Sequence, residues 1–147
     1  MTPLSVRQQE LRPEWIDYNG HLSEAYYVLL FGHGTDEVMD ALGLDAQYRG
    51  ASGCSLFTVE AHVRYLDEVA DGVGVEVRSF VIGTGPRKLR LWHELWAGGV
   101  LRATEEVLAL HVDTAAGRSV PLPGEVLHRA GAAEVALPEH AGRSITG

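Results

Sequence analysis

One uninterrupted helical segment, followed by nothing but alternating strands, is the feature that most narrows the possible folds of this 147-residue chain. From Leu22 to Leu42 no proline occurs, and Leu22, Ala25, Tyr26, Leu29 and Leu30 recur at the spacing of one helix face. Tyr26 to Phe31 is apolar nearly all round, which predicts a helix covered on most sides. Gly32 and Gly34 weaken that helix and imply a close neighbour, and Gly43 followed by Leu44 is a strong stop signal. After it the pattern has period two. Ser55 to Leu66 places Phe57, Val59, Ala61, Val63 and Tyr65 on one face, and Thr58, Glu60, His62 and Arg64 on the other. Further strands are expected over Val73 to Ile82, Arg87 to Trp96 and Val100 to Val112, with Gly98-Gly99 as a hairpin turn. A first short strand precedes Pro13. The expected class is α+β: one long helix wrapped by a curved five-stranded antiparallel sheet, the hot-dog arrangement. Residues 1–125 are read as one domain and 126–147 as an extension, with a short helix over Glu125 to Ala130 and a loose tail. Unpaired sheet edges would be covered by a second copy, so a homodimer or a dimer of dimers is expected.

Charge then removes whole classes of function. Twenty acidic side chains against twelve Lys and Arg give a net charge of −8, which repels nucleic acid. The longest charge-free stretch, Ala25 to Thr35, is too short to span a bilayer, so no membrane role is expected. One cysteine, Cys54, cannot form an intrachain disulfide. With no basic start followed by an apolar run, a cytoplasmic location is expected. The histidines show no metal-ligand spacing, so no metal and no cofactor is expected.

The densest chemical cluster is Trp15-Ile16-Asp17-Tyr18-Asn19-Gly20-His21-Leu22-Ser23, just ahead of the long helix. A helix N-terminus offers free N–H groups and the positive dipole end, which polarise a carbonyl. A carboxylate beside it, Asp17, can attack that carbonyl or activate water. The plainer reading is that Asp17 caps the turn and His21 is structural. Gly20 would let a substrate approach the backbone. Tyr27 belongs to the core or reaches the site with its hydroxyl. Glu60 either pairs with Arg64 on a solvated face or joins Asp17 as a second site carboxylate. Arg87-Lys88-x-Arg90 is the only dense basic stretch. Lys88 and Arg90 share a face and, with Arg64, are candidates for holding phosphates. Trp15, Tyr18, Trp92 and Trp96 are aromatic candidates for an acyl site.

Asp17-x-x-Gly20-His21-x-x-x-x-x-Tyr27 resembles the signature of the 4-hydroxybenzoyl-CoA-type hot-dog thioesterases. Pro13 to His21, Thr58 to Leu66 and Ala103-Thr104-Glu105-Glu106 are more similar still to the betainyl-CoA thioesterases of carnitine breakdown. Many members carry Asn two residues after the His, where Ser23 stands here. The resemblance implies metal-free hydrolysis of an acyl-CoA thioester to free acid and CoA. It implies Asp17 as the catalytic carboxylate and the Gly20 or His21 N–H groups as the oxyanion grip. Glu60 is carried as a further catalytic candidate, and Asn19, Tyr27, Trp15, Arg64, Lys88 and Arg90 as substrate-binding candidates. Two alternatives stay open. A hot-dog hydratase would pair Asp17 with His21, but the Pro and the spacing of its motif are missing. A non-catalytic acyl-CoA-binding module would share the fold.

Overall fold

The computed structural model describes residues 1–142. The end of the expected extension, 143–147, lies outside the described residues. Strand β1 (Ser5–Gln9) leads through a single 3-10 turn (Pro13–Trp15) and a loop to helix α1 (Glu24–Leu42). A short helix α2 (Ala46–Ser52) precedes β2 (Cys54–Tyr65), β3 (Val75–Gly85), β4 (Lys88–Ala97) and β5 (Val100–Asp113). A two-residue strand β6 (Arg118–Ser119) and helix α3 (Gly124–Ala133) follow. The strands form one antiparallel sheet in the order β1-β3-β4-β5-β2, with β6 added beside β5. The sheet curls around α1, which packs on β1, β3, β4 and β5. This is the hot-dog architecture expected from the sequence; β6 and α2 are additions to it.

The helix ends as its sequence predicts. Gly43 adopts φ +91°, its N–H reaches Asp40 O, and Leu44 N–H donates to Met39 O at 2.8 Å. Leu44 is thereby buried against Leu42, Leu56 and Val81. Leu30, Phe31, Val38 and Leu42 are the fully buried stripe of α1. The two helix glycines differ. A Cβ on Gly34 would lie 2.9 Å from both Ser79 Oγ and Val77 Cγ1, so there the sheet does approach closely. Gly32 has open space around it.

Beneath Gly34 runs a polar rung within the apolar core. Ser79 and His93 face each other across β3 and β4, and His93 faces Glu105 across β4 and β5. His93 Nδ1 lies 2.7 Å from Ser79 Oγ, and its Nε2 lies 2.9 Å from Thr35 Oγ1 of α1. Full burial pushes the His93 imidazole down to about 3, so it stays neutral.

Strand β2 departs from simple alternation. Its register against β5 slips between Thr58 and Glu60, placing a bulge at Val59. Ala61, Val63 and Tyr65 pair with Val107, Glu105 and Ala103 on the helix side. Leu56, not Phe57, is the buried residue before the bulge. The single face running from Phe57 to Tyr65 is therefore corrected. Phe57 and Thr58 exchange faces because the extra residue inverts the side-chain phase. Glu60, His62 and Arg64 lie on the convex side, away from α1.

That convex face is partly covered. Phe80, Ile82 and Trp92 form a small apolar cluster under Val135 and Ala141 of the segment after α3. Val135 N–H donates to Val81 O, and Gly142 N–H donates to Glu106 at 2.6 Å. Helix α3 sets Val126 and Ala130 into the main core beside Val38 and Leu42.

Candidate active site

The loop between the 3-10 turn and α1 is built around one side chain. Asp17 Oδ1 accepts the N–H groups of Asn19 (2.9 Å) and His21 (3.3 Å). The Asp17 N–H donates to His21 O, and Gly20 N–H donates to Asp17 O. Gly20 sits at φ +78°, a conformation few other residues accept, so it closes the turn. The turn is clipped to the segment after β2: Leu22 N–H donates to Val69 O and Asp71 N–H to Gly20 O. His21 Nδ1 lies 3.0 Å from Glu68 Oε2. Asp17 is thus both a turn-former and a half-exposed acid, because its Oδ2 makes no hydrogen bond among the described residues.

The N–H groups of Gly20 and His21 are both engaged with Asp17. At the start of α1, by contrast, Ser23 occupies the cap position without a side-chain hydrogen bond. Among the described residues the N–H groups of Glu24 and Ala25 donate to nothing. These are the donors at the positive end of the α1 dipole.

Asp17, Asn19 and His21 border a surface cavity of about 450 Å³ together with Tyr27 and Tyr65. Tyr65 meets Tyr27 edge-on at 5.0 Å and donates its hydroxyl to Glu24 O at 3.0 Å. Burial raises the pKa of both phenols, for Tyr65 with the added repulsion of Glu24 and Glu105. The rest of the rim is Leu22, Leu66 and three acids, Glu24, Asp67 and Glu68, with no Lys or Arg among the lining residues. Asp67 is paired with Arg102 at 3.2 Å.

The other candidates are placed elsewhere. Trp15 is buried behind the loop, stacked on Tyr26 at 5.8 Å and capped by the Arg12 guanidinium. Glu60, Lys88 and Arg90 do come together, but on the convex face, around a cavity of about 400 Å³ shared with His62 and Glu106. There Arg90 is held by Glu106 at 2.6 Å. Among the described residues neither Lys88 nor Arg64 has an ion-pair partner. Trp92 and Trp96 also face this side, and both donate their indole N–H to Glu94 at 3.1 Å. Tyr18 is almost wholly exposed. Sequence reasoning missed Glu24, Tyr65 and Glu68, which reach the Asp17 cavity through tertiary contacts. Only the inward parity of Tyr65 could have flagged one of them.

Among the described residues no three His, Cys, Asp or Glu side chains are grouped to hold a metal ion, and no helix is long and apolar enough to cross a membrane.

Comparison with known proteins places the sequence and the fold. The chain is 43% identical over 149 residues to a betainyl-CoA thioesterase of Pseudomonas aeruginosa, covering 97% of this chain and 94% of the relative. It is 39% identical to an L-carnitine dehydrogenase/betainyl-CoA thioesterase of Agrobacterium fabrum, again over 97% of this chain but only 30% of that longer protein. A candidate thioesterase of Pseudomonas putida KT2440 superposes with a TM-score of 0.84 at 35% identity, covering 99% of this chain and 97% of that one. A hypothetical protein of Staphylococcus aureus solved in complex with CoA superposes with a TM-score of 0.88 at 25% identity, over 96% and 93% of the two chains. Residues 11–130 match the family model of the thioesterase-like superfamily, and the chain belongs to that family.

Proposed function

We propose that this chain hydrolyses the thioester of a short acyl-CoA whose acyl group is positively charged, betainyl-CoA being the leading case, to the free acid and CoA. One observation carries the reading. A carboxylate with a free oxygen lines one cavity with Glu24, the first residue of α1, and with two tyrosines, two leucines and two further carboxylates, and no Lys or Arg lines it. The wall suits a cationic acyl group, since aromatic faces and carboxylates both attract quaternary ammonium. The names of the relatives point to the same substrate.

The chemistry follows from the geometry. The thioester oxygen accepts from the Glu24 and Ala25 N–H groups, which stabilise the negative charge developing there. Asp17 Oδ2 attacks the carbonyl carbon or takes a proton from the attacking water. The C–S bond breaks and CoA leaves as the thiolate; on the direct route a water then hydrolyses the anhydride on Asp17 to release the acid, and on either route the proton lost by the water is taken up by the thiolate. No cofactor takes part. Arg64, Lys88 and Arg90 are the proposed partners of the CoA phosphates, with Lys88 and Arg64 uncommitted to other ion pairs.

The proposed assembly is a homodimer or a dimer of dimers. Strand β2 is a twelve-residue sheet edge with Phe57 45% and Val59 53% exposed, a surface that a second copy would cover. A cytoplasmic location fits the single free Cys54. Thiol release from a panel of acyl-CoA thioesters that includes betainyl-CoA tests the activity. Binding without turnover across the panel refutes it.

A further inference from the structure

A second cavity, of about 310 Å³, opens between α1 and β2 on the helix side of the sheet. Its wall is mostly apolar or hydroxylic: Val28 and Thr35 from α1, and Leu56, Thr58 and Ala61 from β2. The exception on the sheet is Glu105. That side chain is only 4% exposed, and among the described residues it makes no hydrogen bond and no ion pair. Its oxygens meet the cavity and not a protein partner, and a largely buried acid so placed is costly unless water or a ligand meets it. Its surroundings offer no cation. Asp36 of α1 is the other charged residue on the wall. His93, opposite Glu105 on β4, is committed to Ser79 and Thr35 and held neutral by burial. Burial pushes the Glu105 carboxyl up to about 7, so an approaching cation would ionise it.

The cavity neighbours the Asp17 site. Glu105 pairs with Val63, and Tyr65, two residues on along the same face, lines the Asp17 cavity and feels the Glu105 charge. On α1, Tyr27 borders the first cavity and Val28 the second.

We propose that Glu105 is the counter-ion that selects a positively charged acyl group. This rests on the reading of the chain as a hydrolase of cationic acyl-CoA and assigns its specificity to a residue outside the catalytic loop. The nitrogen of a betainyl group lies two bonds from the thioester carbonyl, so its trimethylammonium head would sit at the Val28 end of this cavity, beside Tyr27 and Tyr65 of the Asp17 site, with its charge facing Glu105. A neutral head of the same shape would gain the apolar contacts alone.

The test compares kcat/KM for betainyl-CoA and for its uncharged isostere, 3,3-dimethylbutanoyl-CoA, in the full chain and in Glu105→Gln and Glu105→Asp variants. The wild type is expected to prefer betainyl-CoA. Glu105→Gln should lower the betainyl-CoA value by about 30-fold or more, in the range for truncating one side of a buried charge pair, and leave the neutral isostere within about threefold. Glu105→Asp, which keeps the charge, should retain the preference. A Glu105→Gln enzyme that still prefers betainyl-CoA overturns the assignment while the substrate reading stands. So does an equal fall on both substrates, which marks a structural role. A wild type without preference for the cation removes the substrate reading and this assignment together.

Discussion

Glu105 and Glu106 are consecutive on β5 and point to opposite sides of the sheet. Glu106, on the convex side, is fully occupied: it accepts from Arg90 and from the Gly142 N–H, both at 2.6 Å. Glu105, on the helix side, has no partner among the described residues and borders open space. On the convex side Glu106 and Arg90 are committed to each other and to the C-terminal segment, although Lys88 and Arg64 there have no ion-pair partner among the described residues. The concave side holds Asp17 with one oxygen unused, two helix N–H groups and an unpaired acid. Polar groups that satisfy each other stabilise a fold; polar groups left unsatisfied in a cavity wait for a ligand.

The sharpest way to break that contrast is to remove the unused oxygen. Asp17→Asn keeps an acceptor for the Asn19 and His21 N–H groups, so thermal stability should hold, while kcat falls at least ~100-fold. Near-wild-type thiol release would make Asp17 a turn-former and nothing more. The two helix glycines give the next largest effect. Gly34→Ala should cost about 1–3 kcal/mol in urea unfolding, since its Cβ would press on Ser79 and Val77. Gly32→Ala meets nothing and should raise stability by up to ~1 kcal/mol. Equal effects would mean that the sheet does not approach α1 at Gly34.

Charge removal on the convex side should be milder. Replacing Lys88 and Arg64 together with Ala should raise KM for acyl-CoA several-fold and leave kcat near wild type. An unchanged KM would place the CoA phosphates elsewhere. The last test concerns pH. The Glu105 carboxyl rises in the fold from 4.5 to about 7, so the fold favours its neutral form. The unfolded chain ionises first, and wild-type stability relative to Glu105→Gln should fall as pH rises from about 4.5 to 7. The slope should be at most about 1.4 kcal/mol per pH unit, with a plateau outside that window. His93, shifted from 6.5 to about 3, acts oppositely: its contribution is lost as pH falls through that range. A flat wild-type-minus-variant curve would show that Glu105 is not buried as an acid.

Much of the fold was legible because its signals are local. The Gly43-Leu44 stop, the proline-free helix and the Gly98-Gly99 turn each act over a few residues. Helix α2 escaped notice because it buries none of its residues and so carries no apolar stripe. The Val59 bulge escaped because alternation over Ser55 to Leu66 reads smoothly in one dimension, and only pairing with β5 shows the slip. The Asp17 loop stood out for its residue types. Its neighbours Glu68 and Tyr65 did not, since they are joined to it by chain reversal. Glu105 was hidden for a further reason: it entered only within the run Ala103-Thr104-Glu105-Glu106, and two adjacent acids do not show which of them faces α1 until the strand is paired.

The bulge at Val59 makes β2 a splice between two phases. Side chains before it follow one in–out rule and those after it the other, although the strand is continuous. Pairing Val59 into a regular ladder, so that the strand kept its length but lost the bulge, would leave Ala61, Val63 and Tyr65 in place. It would turn Leu56 and Thr58 outward and bring Phe57 against α1, filling the Glu105 cavity with an aromatic ring. A one-residue slip in register at an exposed edge is therefore a route by which chains of this architecture open or close an acyl chamber while keeping the catalytic loop untouched.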